Sequence, residues 1–308
     1  MRLVVTGASG FIGRYVLLRA PRDWKIIAVY NRTAGLEAFV AANGLSHVTP
    51  VRCDLTSAAD ALQLSRTIGG RVDAALYLAA NGDPAESATR PRWDLESNTV
   101  ALVTFLEHCA IDHLVYLSSG AVYDGLNGPV SPSTPVTPGL PYAISKLASE
   151  QYVRFFAARR HALGSYFNVR FFGAYGPYEP SRKITTRCLR AMMNGERQLT
   201  IRGDGENLID FMYVDDAVDG FLTLVASTGT SGTVDFGSGA PITVNELART
   251  MGRALGFEIA LSHAGHTEEY IQFRTVDPSM SERFNVRPKT SLEDGLARLK
   301  LFLDGAAA

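Results

Sequence analysis

Short apolar runs alternate with amphipathic stretches along the first half of the chain. Arg2–Thr6, Ile26–Tyr30, Val48–Cys53, Val72–Leu78 and Leu114–Leu117 read as strands. Helical patterns lie between them, through Val16–Leu18, Ala58–Arg66 and Leu95–Cys109. This alternation predicts an α/β fold with a doubly wound, mostly parallel sheet. The Pro- and Gly-rich stretch Gly125–Pro141 reads as a loop, Tyr142–His161 as a helix and Ser165–Phe171 as a further strand. After Gly173 the pattern turns irregular. It gives a helix at Ile184–Asn194, a loop at Gly203–Gly205, a strand at Leu208–Tyr213, a helix at Val214–Ala226 and a strand at Val234–Phe236. Helices at Ile242–Leu255 and Leu292–Leu301 complete it. We therefore expect a sheet domain over residues 1–172, with 214–236 returning to it. Residues 173–213 and 237–308 form a smaller C-terminal substrate-binding lobe.

Composition narrows the function classes. The chain has 308 residues, 46% hydrophobic and 20% charged, enough to fill a substantial core. A net charge of -1 and a pI near 6.6 argue against a general grip on nucleic acid or an anionic membrane. Cys53, Cys109 and Cys188 are too sparse for a disulfide framework and lack zinc-ligand spacing, so no metal is expected. The N-terminus MRLVVTGASG has no apolar core of a signal peptide, and no run approaches the ~18 apolar residues of a membrane helix. On these features we expect a cytoplasmic protein.

The sharpest signal is Thr6-Gly7-Ala8-Ser9-Gly10-Phe11-Ile12-Gly13, directly after a strand and opening a helix. One glycine turns the chain from strand into helix, one lets backbone approach a pyrophosphate, and one allows close helix–sheet packing. The helix N-terminus then faces the anion. The spacing is GxxGxxG, and its context makes it the dinucleotide turn of a Rossmann-type fold. An acid at the end of the second strand would bind the adenosine ribose of NAD. Here Asn31 and Arg32 stand there, and a guanidinium suits a 2′-phosphate. NADP(H) is therefore the favoured cofactor, with NAD(H) as the alternative if Arg32 is only a solvated loop residue. Asp54, followed by Leu55, is placed to meet the adenine or to cap a helix.

Tyr142-Ala143-Ile144-Ser145-Lys146 opens a helix after the Pro-rich loop. Residues four apart share a helical face, so the Tyr142 phenol falls beside the Lys146 ammonium. A cation there should lower the phenol from its usual pKa of about 10 and make it a general acid/base for a carbonyl–alcohol pair. Ser118-Ser119-Gly120 ends a strand, where such sheets bind ligands. Ser119 is placed either to hydrogen-bond a reacting oxygen or merely to complete a turn.

Together TGASGFIG, SSGAVY and YAISK resemble the extended short-chain dehydrogenase/reductase family of nucleotide-sugar epimerases, dehydratases and reductases. ESNTVAL with Asn98, YGPYEP and Asp215-Asp216 in FMYVDDAV share the likeness, which spans nearly the whole chain. The resemblance implies Ser119, Tyr142 and Lys146 as catalytic residues, with Asn98 fixing the active-site backbone and a water. It implies that Lys146 also holds the nicotinamide ribose, and that Ser118, Ala79 and Ala80 line the cofactor. It further implies a nucleotide-sugar substrate touching Ser119 and Tyr142. Departures occur where the family holds sugar-nucleotide phosphates: Gly173 replaces an asparagine and Ile209 an arginine. Arg182, Lys183, Arg187 and Arg274 are candidate replacement charges. Gly120-Ala121 lacks the Asp-Glu pair of the family's dehydratases, which leaves epimerase and reductase open. A non-catalytic dinucleotide sensor on this fold would need no intact Ser/Tyr/Lys set. The family commonly pairs through the helices holding Asn98 and Tyr142, so Leu102, Phe105, Leu106, Phe155 and Phe156 are candidates for a homodimer face or for core.

Overall fold

The computed structural model describes residues 1–159, 163–266 and 271–305. Its centre is a seven-stranded parallel sheet. The first five strands in the chain are β1 (Arg2–Thr6), β2 (Lys25–Tyr30), β3 (Val48–Arg52), β4 (Val72–Tyr77) and β5 (Ile111–Ser119). They stand in the order β5-β4-β1-β2-β3. Leu163–Phe171 adds beyond β5, and Gly232–Phe236 closes the sheet beyond that. The order reverses at β1, which pairs with β2 on one side and β4 on the other. A crevice opens at such a switch point, outside the carboxyl ends of the strands.

Both faces of the sheet are covered, which is why its strands read as apolar runs. Successive side chains of β1 enter opposite layers. Leu3 and Val5 pack with Val16, Leu17, Val218 and Phe221, whereas Val4 packs with Leu102, Phe105 and Leu106. The last three are fully buried. They belong to the core and not to a dimer face. The helix after β1, Phe11–Arg19, packs against the helix Val214–Ala226, so a late segment helps cover an early strand.

Several elements differ from the sequence expectation. Leu95–Cys109 is not one regular helix: Pro91–Leu95 runs into a π-helical turn at Glu96–Val100 and then Ala101–His108. Leu208–Tyr213 splits at Asp210 into Leu208–Ile209, paired with Ile242–Thr243, and Met212–Tyr213, paired with Ala174–Tyr175. The loop Gly125–Pro141 contains a strand, Asn127–Val130, paired with Gln272–Thr275. The helix bearing Tyr142 spans Pro141–Arg159; its expected end at His161 lies outside the described residues.

Candidate active site

The glycine turn forms one end of the crevice. Gly7 sits at φ +66°, and a Cβ there would lie 2.9 Å from the Ala79 backbone nitrogen. Thr6 Oγ1 accepts from the Leu78 and Ala79 amides at 3.0 and 3.1 Å, pinning the end of β1 to the end of β4. The following helix has Gly10 at its N-cap with no capping side chain, so its first amides face the crevice mouth as an anion site. The helix continues through Phe11, Ile12 and Gly13, and a Cβ at Gly13 would collide with the Gly7 carbonyl. These features fit the pyrophosphate of a dinucleotide.

The crevice measures about 370 Å³ and is lined by Gly7, Ser9, Gly10, Asn31, Arg32, Asp54, Leu55, Ala79 and Ala80, all expected from the sequence. Asp54 accepts from the Thr56 amide and hydroxyl at 3.0 and 2.7 Å. That turn, with a bond from Asn31 and the nearby Arg32, holds its carboxyl below the usual aspartate value. The helix cap, the alternative role for Asp54, is supplied by Ser57.

Beyond Ala80 the crevice reaches Asn81, and there the second cluster begins. Asn98, fully buried in the π turn, accepts from the Asn81 amide at 2.7 Å. Its Nδ2 donates to Asp94 Oδ1 at 2.9 Å and to Ser145 Oγ at 2.9 Å. Asp94, fully buried, also accepts from Asn81 Nδ2 at 2.8 Å and Ser145 Oγ at 2.7 Å. Ser145 directly precedes Lys146 in the helix Pro141–Arg159. Tyr142 starts the same helix, and its amide donates to Ser87 Oγ at 3.1 Å. Ser119 ends β5; its Oγ accepts from the Ala121 amide at 3.1 Å, and its side chain is close enough to the Tyr142 phenol to pull that phenol's pKa down. Sequence reasoning missed Asp94, Asn81 and Ser87, which are brought together with the Tyr142 helix by bonds that span 13 to 55 residues of chain.

The electrostatics correct one expectation. Burial is the largest influence on Tyr142 and pushes its phenol above the ordinary tyrosine value. Ser119 works the other way, and Asp94 adds to the rise. Lys146 does not lower it as expected: its Nζ lies 5.8 Å from the phenol ring centroid and donates to the Leu117 carbonyl at 2.8 Å. Burial pulls the ammonium itself down to about 8, opposed by Asp94 and Glu150. Ser118 also differs. Its hydroxyl donates to buried Glu150 at 2.6 Å, within a pair between Glu150 and Arg170, and so serves the core and not the crevice.

The substrate-side candidates scatter. Gly173 follows Leu163–Phe171 at φ +145°, a backbone an asparagine rarely adopts. Arg182 is paired with Asp83 at 2.8 Å, and Arg274 is exposed on Gln272–Thr275. Lys183 lies closer to the cofactor end, its Nζ 6.0 Å from the centroid of the Phe11 ring.

A glycine turn at a parallel-sheet switch point, with a Ser/Tyr/Lys set tied to the crevice residue Asn81 through Asn98, Asp94 and Ser145, is the arrangement of a dinucleotide-dependent enzyme of the extended short-chain dehydrogenase type. Comparison with known proteins agrees. Residues 3–236 match the NAD dependent epimerase/dehydratase family, and the chain belongs to that family. It is 25% identical over 307 residues to a putative UDP-glucose 4-epimerase of Methanocaldococcus jannaschii, covering 96% of each chain. It is 28% identical to a dTDP-glucose 4,6-dehydratase of Mycolicibacterium smegmatis, over 96% of this chain and 91% of that one. The structure of MoeE5 in complex with UDP-glucose and NAD superposes with a TM-score of 0.87 at 26% identity, covering 100% of both chains. Among the described residues no helix is long and apolar enough to cross a membrane, and no cluster could hold a metal ion.

Proposed function

We propose that the chain interconverts a secondary alcohol and a ketone on a nucleotide-activated sugar, with epimerisation as the net reaction. The observation that carries this reading is the placement of Lys146 Nζ 5.8 Å from the Tyr142 ring centroid, one helical turn on, with Ser119 close enough to the phenol to act on its ionisation. When bound, the oxidised nicotinamide supplies the hydride acceptor and a positive charge near the phenol. Tyr142 takes the proton of the sugar hydroxyl and returns it to the carbonyl oxygen. Ser119 donates to that oxygen and holds it at the phenol. Lys146 and Asn98 fix the frame around them. Burial raises the phenol's pKa, so that positive charge is needed to free Tyr142 as the base of the first, alcohol-to-ketone step; in the return step Tyr142 is the acid. The missing Asp-Glu pair at Gly120-Ala121 favours epimerisation over dehydration.

Relatives solved with bound NAD favour NAD as the cofactor. Asn31 and Arg32 favour a 2′-phosphate, but Asp54 places a carboxylate among them, and an anion there opposes a second one. We read the chain as NAD-dependent, and lower Michaelis constants for NADPH would reverse that. We assign residues 173–213 and 237–308 to substrate binding, with Lys183 supplying phosphate charge in place of the residues absent at Gly173 and Ile209. We further infer a homodimer. Val100, Tyr152 and Phe155 are exposed on the neighbouring segments that carry Asn98 and Tyr142, and Phe156 is partly exposed beside them.

The test is incubation with NAD and a panel of UDP- and dTDP-hexoses, with products read by NMR and mass spectrometry. A C4-inverted sugar of unchanged mass supports the proposal. A loss of water identifies a dehydratase, and net consumption of reduced cofactor a reductase. Tyr142→Phe should lower kcat by roughly 10²–10⁴-fold with NADH binding intact; unchanged turnover refutes the proton path.

A further inference from the structure

Asp94 is a carboxylate with no exposed surface, and its partners are two carboxamides and a hydroxyl. Burying an anion is costly unless every lone pair it offers has a donor. Oδ1 accepts from both Asn81 Nδ2 and Asn98 Nδ2, and Oδ2 accepts from Ser145 Oγ. Three donors on two oxygens exceed what the single oxygen of an asparagine could serve in the same place. These donors come from three separate parts of the chain: the segment after β4, the π turn, and the helix bearing Tyr142 and Lys146.

We propose that Asp94 is a positioning residue that holds Asn98, the Asn81 amide and the first turn of the Tyr142 helix in one register. Asp94 Oδ1 and Ser145 Oγ, itself bonded to Asp94 Oδ2, take the Asn98 Nδ2 hydrogens, so Asn98 presents Oδ1 to the Asn81 amide. Asn81 lines the crevice directly after Ala79 and Ala80, so the same bond fixes the cofactor floor. The bond to Ser145 Oγ fixes the residue that precedes Lys146. Without the carboxylate Asn98 Nδ2 keeps only Ser145 Oγ, a hydroxyl that has lost its bond to Asp94, and the Asn98 amide can turn over so that the Asn81 amide meets a nitrogen instead of an oxygen.

The catalytic half of this assignment rests on the function proposed above, so the test has two arms. Amide hydrogen exchange on the peptide containing Asn81 reads the frame directly. Asp94→Asn should speed exchange there by roughly 10–100-fold, the range of a hydrogen bond to a charged group, while the melting temperature moves by only a few degrees. Steady-state kinetics should show kcat reduced by a similar factor, with KM for the nucleotide sugar little changed. Should Asp94→Asn fail to fold, Ser145→Ala removes one donor without altering the charge. It should then give the same pattern at roughly 3–10-fold. Unchanged Asn81 protection, or a rate loss matched by loss of folded protein, overturns the assignment. If the wild type turns over no nucleotide sugar, the proposed function falls, and the exchange arm still decides the role of Asp94.

Discussion

Gly7→Ala probes the turn on which cofactor binding depends. The residue sits at φ +66°, and its added Cβ would lie 2.9, 3.0 and 3.1 Å from the Ala79 N, Leu78 C and Ala79 Cα atoms. All three are backbone atoms, so no side-chain rotation relieves the contact. The left-handed conformation costs an alanine roughly 1–2 kcal/mol, and forcing apart a packed strand end adds roughly 1–3 kcal/mol. Gly44 provides the control. It has φ +58° with nothing within 4 Å of the added Cβ, so Gly44→Ala carries the conformational cost alone. Chemical denaturation should place Gly7→Ala below Gly44→Ala by roughly 1–3 kcal/mol. Because the displaced Ala79 lines the crevice, NADH affinity read by fluorescence should fall about tenfold or more in Gly7→Ala, about 1.4 kcal/mol, and stay unchanged in Gly44→Ala. Equal behaviour of the two variants in both assays refutes the argument that Gly7 is needed for close approach.

Burial raises the Asp235 carboxyl to about 6, with Asp277 adding to the rise and bonds from Thr275 and Tyr123 opposing it. The folded state therefore binds this proton more tightly than the unfolded chain, and its contribution to stability is lost as pH rises from about 4 to about 6. Relative to Asp235→Asn, the wild type should lose roughly 2–3 kcal/mol between pH 4 and pH 7 in denaturation curves; a flat difference rejects it. Phe155→Glu should shift the protein to monomer in light scattering without loss of helicity, and a wild type already monomeric at micromolar concentration removes the dimer. Lys183→Ala should raise KM for the nucleotide sugar about tenfold or more, the scale of one charge-assisted bond, with kcat nearly kept; an unchanged KM transfers the phosphate role to another cation.

What was legible in the sequence had local causes. β1 and the helix Val214–Ala226 run as their patterns predict, because apolar period and turn signals set both ends. The glycine turn and the tyrosine–lysine spacing are also local: Gly7 and Gly10 line the crevice, and Lys146 Nζ stands 5.8 Å from the Tyr142 ring centroid. Long-range pairing was not legible. Asn127–Val130 sits among prolines and glycines and becomes a strand only because Gln272–Thr275 lies beside it. The break inside Leu208–Tyr213 arises because the Asp210 carboxylate turns to the Ser238 amide, a contact no periodicity announces. The direction of the Tyr142 shift was misjudged for a related reason: spacing gives the neighbour, whereas the surrounding fold sets the desolvation.

The outermost strand of the sheet, Gly232–Phe236, has a consequence for how the protein is made. Its neighbour Leu163–Phe171 leaves the ribosome much earlier, and until Phe236 emerges that neighbour offers bare amides and carbonyls along one side. At roughly 5–20 residues per second the exposure lasts several seconds. A nascent chain stalled in that interval presents a sticky edge to other nascent chains, so truncation before Gly232 should yield aggregates rather than a smaller working enzyme.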